Sequence, residues 1–218
     1  MSRIIDLHVH THYSRCSGLK PEHIDGIARR QGLNAVAITD HNTLRGAQEV
    51  AATARNITVI VAEEIRTSCG DMIGYFLREE IPPGLSPQET IAAIRRQEGL
   101  VSVPHPFDWL RSSRMRPDAL NEIIEQIDML EVFNARDILT RSDERLVAHA
   151  LKVGVVPVVG SDAHFGIEVG RARMILQPFS TPREFLESLR NATIETSRSP
   201  LWVHGLTKLL RLVRRFSR

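Results

Sequence analysis

Residues 4–10 read Ile-Ile-Asp-Leu-His-Val-His, a short apolar run that ends in two histidines one residue apart. Aliphatic, β-branched runs of this length are typical of a buried strand. Side chains two residues apart on a strand point to the same face, so both imidazoles can reach one metal ion. This stretch therefore predicts a strand, 4–8, that carries metal-binding side chains at its carboxyl end.

The same unit recurs along the chain, with apolar runs alternating with helical segments. We predict seven strands, at residues 4–8, 35–39, 57–62, 72–77, 100–103, 129–133 and 155–159. We predict helices at 21–31, 86–98, 117–126, 140–153 and 181–189, most of which begin at a proline or a capping box. This alternation predicts an α/β fold with a largely parallel sheet. A small, distorted (β/α) barrel fits the number of units, and a doubly wound open sheet is the structural alternative.

Six of the apolar runs end in residue types that bind metals. These are His8 and His10, Asp40 and His41, Glu63 and Glu64, His105, Glu131 and Asn134, and Asp162 and His164. The carboxyl ends of parallel barrel strands meet at one face, so residues far apart in sequence would meet there. Imidazole nitrogens and carboxylate oxygens are the ligands of hydrolytic Zn, Mn or Fe sites. Five of the nine histidines occupy these positions, which favours a metal site over scattered structural histidines.

The composition bounds the class of protein. With 218 residues, 42% hydrophobic and 25% charged, the chain is long enough for one globular domain and unlike a disordered segment. A formal net charge of +2 gives no global reason to expect a nucleic-acid partner. Two cysteines form no disulfide framework, residues 1–6 reach an acid too soon for a signal peptide, and no apolar run is long enough to span a membrane. We therefore expect a soluble, cytoplasmic protein.

The ordered motifs resemble those of the polymerase and histidinol phosphatase (PHP) family of metal-dependent phosphoesterases. In chain order they are Asp6-Leu7-His8-Val9-His10, Thr39-Asp40-His41-Asn42, Glu64-Ile65, His105-Pro106, Glu131-Val132-Phe133-Asn134 and Ser161-Asp162-Ala163-His164. The resemblance covers about residues 3–197. It implies a distorted seven-stranded (β/α) barrel of PHP type, with two or three divalent metal ions (Mn, Zn or Fe). We expect this single domain to occupy residues 1–197 and a separate tail to occupy residues 198–218.

The resemblance also implies ligands for each ion. The predicted metal ligands are His8, His10, His41, Glu64, Asp71, His105, Glu131, Asp162 and His164. His8, His10, Glu64 and Asp162 would hold the first ion. Glu64 would bridge to a second ion at His105, and His41 and His164 would hold the third. Glu64 is preferred to Glu63 because it precedes Ile65, as in the family motif.

Two positions depart from the family pattern. Arg15 stands where many members place a ligand of the third metal, and a guanidinium cannot bind a cation. The third site would therefore be empty, weak, or completed by Cys16 or His12. Asp71 follows Gly70 where members often have a histidine, and its oxygen favours a harder ion than imidazole does.

Cations must meet the charge of a phosphorylated substrate. The predicted substrate-binding residues are Arg15, Asn134 and Arg136. Arg111, Arg114 and Arg116 lie on another loop of the same face, where solvated arginines are the alternative. The predicted catalytic residues are Asp162 and His164, either of which could be the general acid, and His12, a candidate for proton transfer.

The tail carries no acid, and after Arg198 it contains five further cations: Lys208, Arg211, Arg214, Arg215 and Arg218. Its apolar residues recur at helical spacing: Trp202, Leu206, Leu209, Val213 and Phe216. This pattern predicts a basic amphipathic helix. We expect it to pack on the barrel, and contact with a membrane surface, RNA or a partner protein are the alternatives.

Two neighbouring ions can activate a shared water and polarise phosphoryl oxygens. We therefore predict hydrolysis of a phosphomonoester, such as a nucleotide or a sugar phosphate. One alternative is a phosphodiesterase or exonuclease acting on short nucleic acid. Another is a non-catalytic metal-binding module.

Overall fold

Short β-branched runs become the strands of one sheet. The computed structural model describes residues 2–138 and 144–216. Within these ranges nine strands form the sheet: β1 (Arg3–Val9), β2 (Ala35–His41), β3 (Thr58–Thr67), β4 (Gly70–Tyr75), β5 (Leu100–Val103), β6 (Met129–Asn134), β7 (Val156–Gly160), β8 (Ala172–Leu176) and β9 (Thr193–Thr196). All seven predicted strands are found. β3 is longer than predicted because it continues into a hairpin with β4.

Seven helices lie within the described ranges: α1 (Pro21–Arg30), α2 (Arg45–Thr53), α3 (Pro87–Arg96), α4 (Pro117–Ile123), α5 (Glu144–Lys152), α6 (Pro182–Leu189) and α7 (Trp202–Phe216). Helix α3 begins with the predicted capping box between Ser86 and Glu89. Helix α2 and strands β8 and β9 were not predicted. β8 alternates buried and half-buried positions and β9 is exposed, so neither has the continuous apolar run used to predict strands. The first residues of the predicted helix 140–153, residues 140–143, lie outside the described residues.

The predicted α/β barrel is confirmed. Strands β1 to β7 form a nearly closed barrel, and β8 and β9 extend the sheet beyond β1 as antiparallel strands. Between β7 and β1 the sheet closes through Ala163. The His10 N–H donates to the Ala163 carbonyl (2.9 Å), and the Ala163 N–H donates to the His8 carbonyl (3.2 Å). This closure places the two histidines of β1 beside the segment that carries Asp162 and His164.

Strand β4 departs from the predicted parallel arrangement. β1, β2 and β3 are parallel, as are β5, β6 and β7, whereas β4 is antiparallel to both of its neighbours. Only Ser68 and Cys69 connect β3 to β4, and two residues suffice for a hairpin but not for a crossover to a parallel strand. Because β4 runs in the opposite direction, its first residues lie at the face where the parallel strands end. Asp71 therefore reaches that face.

Alternation along β3 separates two neighbouring glutamates. Ala62 belongs to the apolar cluster inside the barrel, to which every barrel strand contributes, whereas Ile65 packs outside it. Glu64 shares the inner face with Ala62, since side chains two residues apart point the same way. Glu63 points outward, and its carboxylate accepts a hydrogen bond from the Ile81 N–H (3.0 Å).

Helix α7 packs on the barrel through a face adjacent to its apolar stripe. Val203 and Thr207 are buried, and Arg214 Nη1 donates to the backbone carbonyls of residues 12, 14 and 17 at 3.4, 3.2 and 2.9 Å. The stripe itself is exposed at Trp202, Leu206, Leu209 and Val213. Tail residues 217–218 lie outside the described residues. Among the described helices none is both long enough and apolar enough to cross a membrane.

Candidate metal centre

His8 and His10 bring their imidazoles together at the end of β1. Both side chains are buried, and their Nε2 atoms lie 3.1 Å apart. Asp162 Oδ1 lies 3.6 Å from His8 Nε2 and 3.1 Å from His10 Nε2. Asp162 has a φ of +53°, a left-handed conformation that is uncommon for a non-glycine residue and is often found at functional sites. These three residues form the first candidate ligand group.

Glu64, Asp71 and His105 form a second candidate group on the adjoining strands. His105 Nε2 lies 2.9 Å from Glu64 Oε1 and 4.0 Å from Asp71 Oδ2. The other oxygen of Glu64, Oε2, lies 3.2 Å from His10 Nε2 in the first group. Glu64 thus lies between the two groups, a position suited to a carboxylate that bridges two ions.

His41 and His164 join His10 in a third candidate group. His41 Nδ1 lies 2.9 Å from Glu64 Oε2, so this group adjoins the other two. His164 Nε2 lies 3.1 Å from the buried sulfur of Cys16. The thiol is therefore placed beside the third group.

The ligand groups contain carboxylate oxygens that lack a hydrogen-bond donor. Glu64 Oε2, Asp71 Oδ2 and Asp162 Oδ1 are buried and accept no hydrogen bond from any described residue. A buried carboxylate oxygen without a partner is costly, and a bound cation removes that cost. Imidazole nitrogens and carboxylate oxygens in these positions therefore fit a divalent metal such as Zn, Mn or Fe.

The electrostatics of the centre favour positive charge. Burial opposes the charged form of His8, but the carboxylates of Asp162 and Glu131 raise its pKa well above the usual value. Burial likewise opposes charge on Glu64, but His41 and the neighbouring imidazoles hold the pKa of this carboxyl well below its usual range. The charged form of Glu64 is thereby favoured, whereas burial raises the pKa of the neighbouring Asp71. A divalent cation would meet the negative charge of Glu64.

Glu131 lies behind the ligands rather than among them. Its Oε1 lies 3.1 Å from His8 Nδ1, and its Oε2 accepts hydrogen bonds from the His105 N–H (2.6 Å) and from Asn134 Nδ2 (3.0 Å). A carboxylate that accepts from Nδ1–H leaves the Nε2 lone pair free for a metal. We interpret Glu131 and Asn134 as residues that orient ligands, which differs from their predicted roles in metal and substrate binding.

Asp40 orients the loop that follows His10. Its carboxylate accepts hydrogen bonds from the Thr11 N–H (2.7 Å) and from Ser14 Oγ (2.5 Å), and Ser14 Oγ lies 3.3 Å from His10 Nδ1. Asp40 therefore acts on His10 through Ser14. Asp6 instead accepts hydrogen bonds from the backbone N–H groups of residues 161 and 170, which stabilises the closure of the barrel.

Gly160, at the end of β7, makes room for the contact between Glu131 and His8. A Cβ at this position would lie 2.2 Å from Glu131 Oε1 and 2.5 Å from His8 Cβ. Both distances are far below van der Waals contact, so any side chain here would displace the ligand or the residue that orients it.

The loop after β5 brings one arginine into the centre. Arg111 Nη1 lies 2.7 Å from Asp162 Oδ2, and its side chain is 22% exposed. The neighbouring loop arginines have other partners: Arg114 lies over the ring of Trp109 (4.5 Å), and Arg116 Nε lies 3.5 Å from an oxygen of Asp118. The three arginines look alike in the sequence, and only their spatial partners distinguish them.

Like Glu131 and Asn134, two more predicted site residues, Arg136 and His12, lie outside the ligand groups. Arg136 is buried, its Nη2 donates to Thr207 Oγ1 (2.7 Å), and its Nε lies 3.4 Å from Glu168 Oε1. It therefore holds α7 on the barrel rather than facing a substrate. The ring of His12 stacks on Tyr13 with centroids 4.6 Å apart, and none of its described contacts reaches a ligand group.

A cavity of about 600 Å³ opens beside His41 and Cys16. Four arginines line it, and no acid among the described residues does: Arg15, Arg211, Arg214 and Arg215. Arg214 is bound to backbone carbonyls, whereas the other three form no ion pair with any described residue. The cavity therefore presents uncompensated positive charge next to the third ligand group.

Comparison with known proteins places this centre in a family context. The PHP domain family model matches residues 6–172, a range that includes all three ligand groups. An uncharacterized protein of Methanocaldococcus jannaschii is 36% identical over 204 residues, which cover 88% of this chain and 81% of the relative.

Solved structures share the fold at lower identity. A two-domain protein from Bacteroides vulgatus that contains a predicted PHP-like metal-dependent phosphoesterase aligns with a TM-score of 0.72 and 17% identity, covering 90% of this chain and 65% of that one. A lesion-specific endonuclease from Pyrococcus furiosus aligns with a TM-score of 0.66 and 18% identity, covering 89% of this chain and 58% of that one.

Proposed function

The chain belongs to the PHP domain family, and from that premise we propose that it is a metal-dependent phosphoesterase that hydrolyses a phosphomonoester, in the class of nucleotides and sugar phosphates. One observation carries the proposal: two ligand groups meet at Glu64, which lies 3.2 Å from His10 Nε2 on one side and 2.9 Å from His105 Nε2 on the other. A carboxylate shared by two cations suits displacement at phosphorus, where both the attacking and the leaving oxygen need stabilisation.

Divalent cations held by these groups would lower the pKa of water and polarise phosphoryl oxygens. The chain's own residues would keep the ligands in place. Glu131 holds the Nδ1–H of His8, and Ser14, itself held by Asp40, approaches His10 Nδ1 at 3.3 Å. Both imidazoles thereby present their Nε2 atoms to the centre.

Arg111 is the proposed ligand of the substrate's phosphoryl oxygens. Its guanidinium lies at the centre and pairs through Nη1 with Asp162, which leaves further N–H donors for a phosphate. The arginines of the cavity would attract an anionic substrate toward the centre. Among them Arg15 keeps its predicted substrate role as a proposal.

Two of the three residues predicted to be catalytic, Asp162 and His164, are also predicted metal ligands. Asp162 and His164 lie in ligand groups, so we propose that both bind metal and that neither is the general acid. Proton transfer by His12 remains a prediction that no described contact supports.

A phosphodiesterase acting on short nucleic acid is the second candidate. The arginine-lined cavity favours it, because successive phosphates of a strand would find cations there. The similar fold of an endonuclease from Pyrococcus furiosus points the same way. We prefer the phosphomonoester because a cavity of about 600 Å³ is the size of a small-ligand site.

Phosphate release decides between these proposals. Metal-stripped protein is resupplied with Mn, Zn, Fe or Mg and assayed on nucleotides, sugar phosphates and short oligonucleotides. The His8→Ala variant removes one ligand, and the matched control, His23→Ala, removes an exposed imidazole on α1. We expect phosphate release from a monophosphate that His8→Ala abolishes and His23→Ala retains.

The other outcomes are equally informative. Release of nucleotides from oligomers would select the second candidate. Stoichiometric metal binding without turnover of any substrate would refute both, and would leave a metal-binding module.

A further inference from the structure

Cys16 is buried among polar groups rather than in the apolar core. Its side chain is 2% exposed, yet among the described residues it belongs to none of the three apolar clusters. Its sulfur lies 3.1 Å from His164 Nε2, and Cys16 and His41 line the same cavity. The third ligand group therefore adjoins this open cavity rather than the apolar core.

The hydrogen bonds of His164 determine which of its nitrogens is free. Nδ1 lies 2.7 Å from the backbone carbonyl of Asp162, and a carbonyl can only accept, so Nδ1 carries the proton. Nε2 therefore presents its lone pair to the sulfur of Cys16. The His164 nitrogen and the Cys16 sulfur thus face each other with the thiol proton between them. Once that proton leaves, both atoms can bind a cation.

We propose that the sulfur of Cys16 is a metal ligand that, with His41 and His164, completes the third ligand group. Arg15 cannot bind a cation, and its exposed side chain lines the cavity instead. Binding releases the thiol proton to solvent and forms a metal–sulfur bond. A soft thiolate with two imidazoles selects zinc over manganese, whereas the oxygen-rich group of Glu64 and Asp71 accepts harder ions. The inference rests on the proposed metal-dependent function only in requiring a metal-loaded centre.

The second cysteine is a matched control. Cys69 is half-buried and packs against an apolar cluster, and its sulfur lies 3.7 Å from the hydroxyl of Ser68. Replacing it with serine removes a thiol of the same chain without touching the third group.

The test is cobalt substitution, since a cobalt–thiolate bond gives a charge-transfer absorption band in the near ultraviolet that nitrogen and oxygen ligands do not give. Metal-stripped protein is loaded with Co²⁺, and its spectrum and metal content are measured for the wild type, Cys16→Ser, Cys16→Asp and Cys69→Ser. Circular dichroism and thermal unfolding check that each variant is folded. Phosphate release is measured on the same samples.

We expect the band in the wild type and in Cys69→Ser. Cys16→Ser should lose the band and bind one ion fewer per chain. Cys16→Asp should regain the ion without the band, because a carboxylate can also be a ligand. Cobalt bound without the band in the wild type, or a band that persists in Cys16→Ser, would overturn the inference. Phosphate release in those same samples would leave the proposed function standing, whereas a wild type that neither binds cobalt nor releases phosphate would remove the metal centre itself.

Discussion

Replacing Glu131 with glutamine changes one atom of the group that orients two ligands. The carboxylate accepts three hydrogen bonds. Oε1 accepts one from His8 Nδ1, and Oε2 accepts two, from the His105 N–H and from Asn134 Nδ2. Glutamine has only one acceptor oxygen, and we expect it to face the two donors. Its NH₂ group would then face His8 Nδ1.

This arrangement reverses the tautomer of His8. Nδ1 would accept from the new NH₂ group and would carry no proton, so Nε2 would be protonated and lose the lone pair that it offers to a metal. Loss of such an orienting partner typically lowers metal affinity about 10- to 100-fold, or about 1.4–2.7 kcal/mol. Competition with a chromophoric chelator measures the affinity, and nitrogen chemical shifts of the imidazole report the tautomer.

Glu63→Gln is the matched control, because Glu63 is also buried and neighbours a ligand but points out of the barrel. It should bind metal as the wild type does. An unchanged tautomer and affinity in Glu131→Gln would refute the orienting role. Complete loss of one ion would instead support the ligand role that the sequence predicted for Glu131.

Three further changes test other parts of the structure. Gly160→Ala places a methyl group 2.2 Å from Glu131 Oε1 and should lower the free energy of unfolding, measured by urea titration, by about 1–3 kcal/mol. The control Gly205→Ala should not lower it, because a Cβ at that position meets nothing within 4 Å. Arg111→Ala should lower kcat about 100-fold at saturating metal if its guanidinium holds the phosphoryl group, and an unchanged kcat would exclude that role. Burial raises the pKa of the Glu63 carboxyl from 4.5 to about 7, so the folded state binds the carboxyl proton more tightly than the unfolded state does. The free energy of unfolding should therefore fall by about 3 kcal/mol as the pH rises from 4.5 to 7. The difference between the free energies of unfolding at pH 5 and pH 8 should therefore be smaller in Glu63→Gln than in the wild type. Equal differences in the two proteins would contradict the raised pKa of Glu63.

The sequence predicted the barrel because its strands are short apolar runs with polar ends, a pattern that repeats for β1 to β3 and β5 to β7. It did not predict the direction of β4, because the predicted strands 57–62 and 72–77 are separated by nine residues, whereas only Ser68 and Cys69 separate β3 from β4 in the structure. The direction of β4 determines which of its residues reaches the candidate metal centre. Because β4 is antiparallel, its first residues, including Asp71, lie beside the other ligands.

The candidate ligands were predictable because each stands at a strand end, where backbone position alone fixes the side chain's location. Residues that orient them were harder to predict. Glu131 follows an apolar run in the sequence, as the ligands do, and only the closeness of its carboxylate to His8 Nδ1 rather than Nε2 separates the two roles. Asn134 is a predicted substrate-binding residue, yet its Nδ2 donates a hydrogen bond to Glu131 Oε2.

The arginines show most clearly where sequence reasoning ends. Residue type identifies a cation, but its role depends on which acceptors lie within reach after folding. Arg136 is committed to Glu168 and Thr207, and Arg214 to three backbone carbonyls, so recruiting either to a phosphate would break hydrogen bonds from a charged group at about 1.5–3 kcal/mol each. Arg211, which has no ion pair with a described residue, faces no such cost. Helix α7, although far from the ligands in sequence, is therefore a better source of substrate-binding cations than Arg136, which follows Asn134 by two residues.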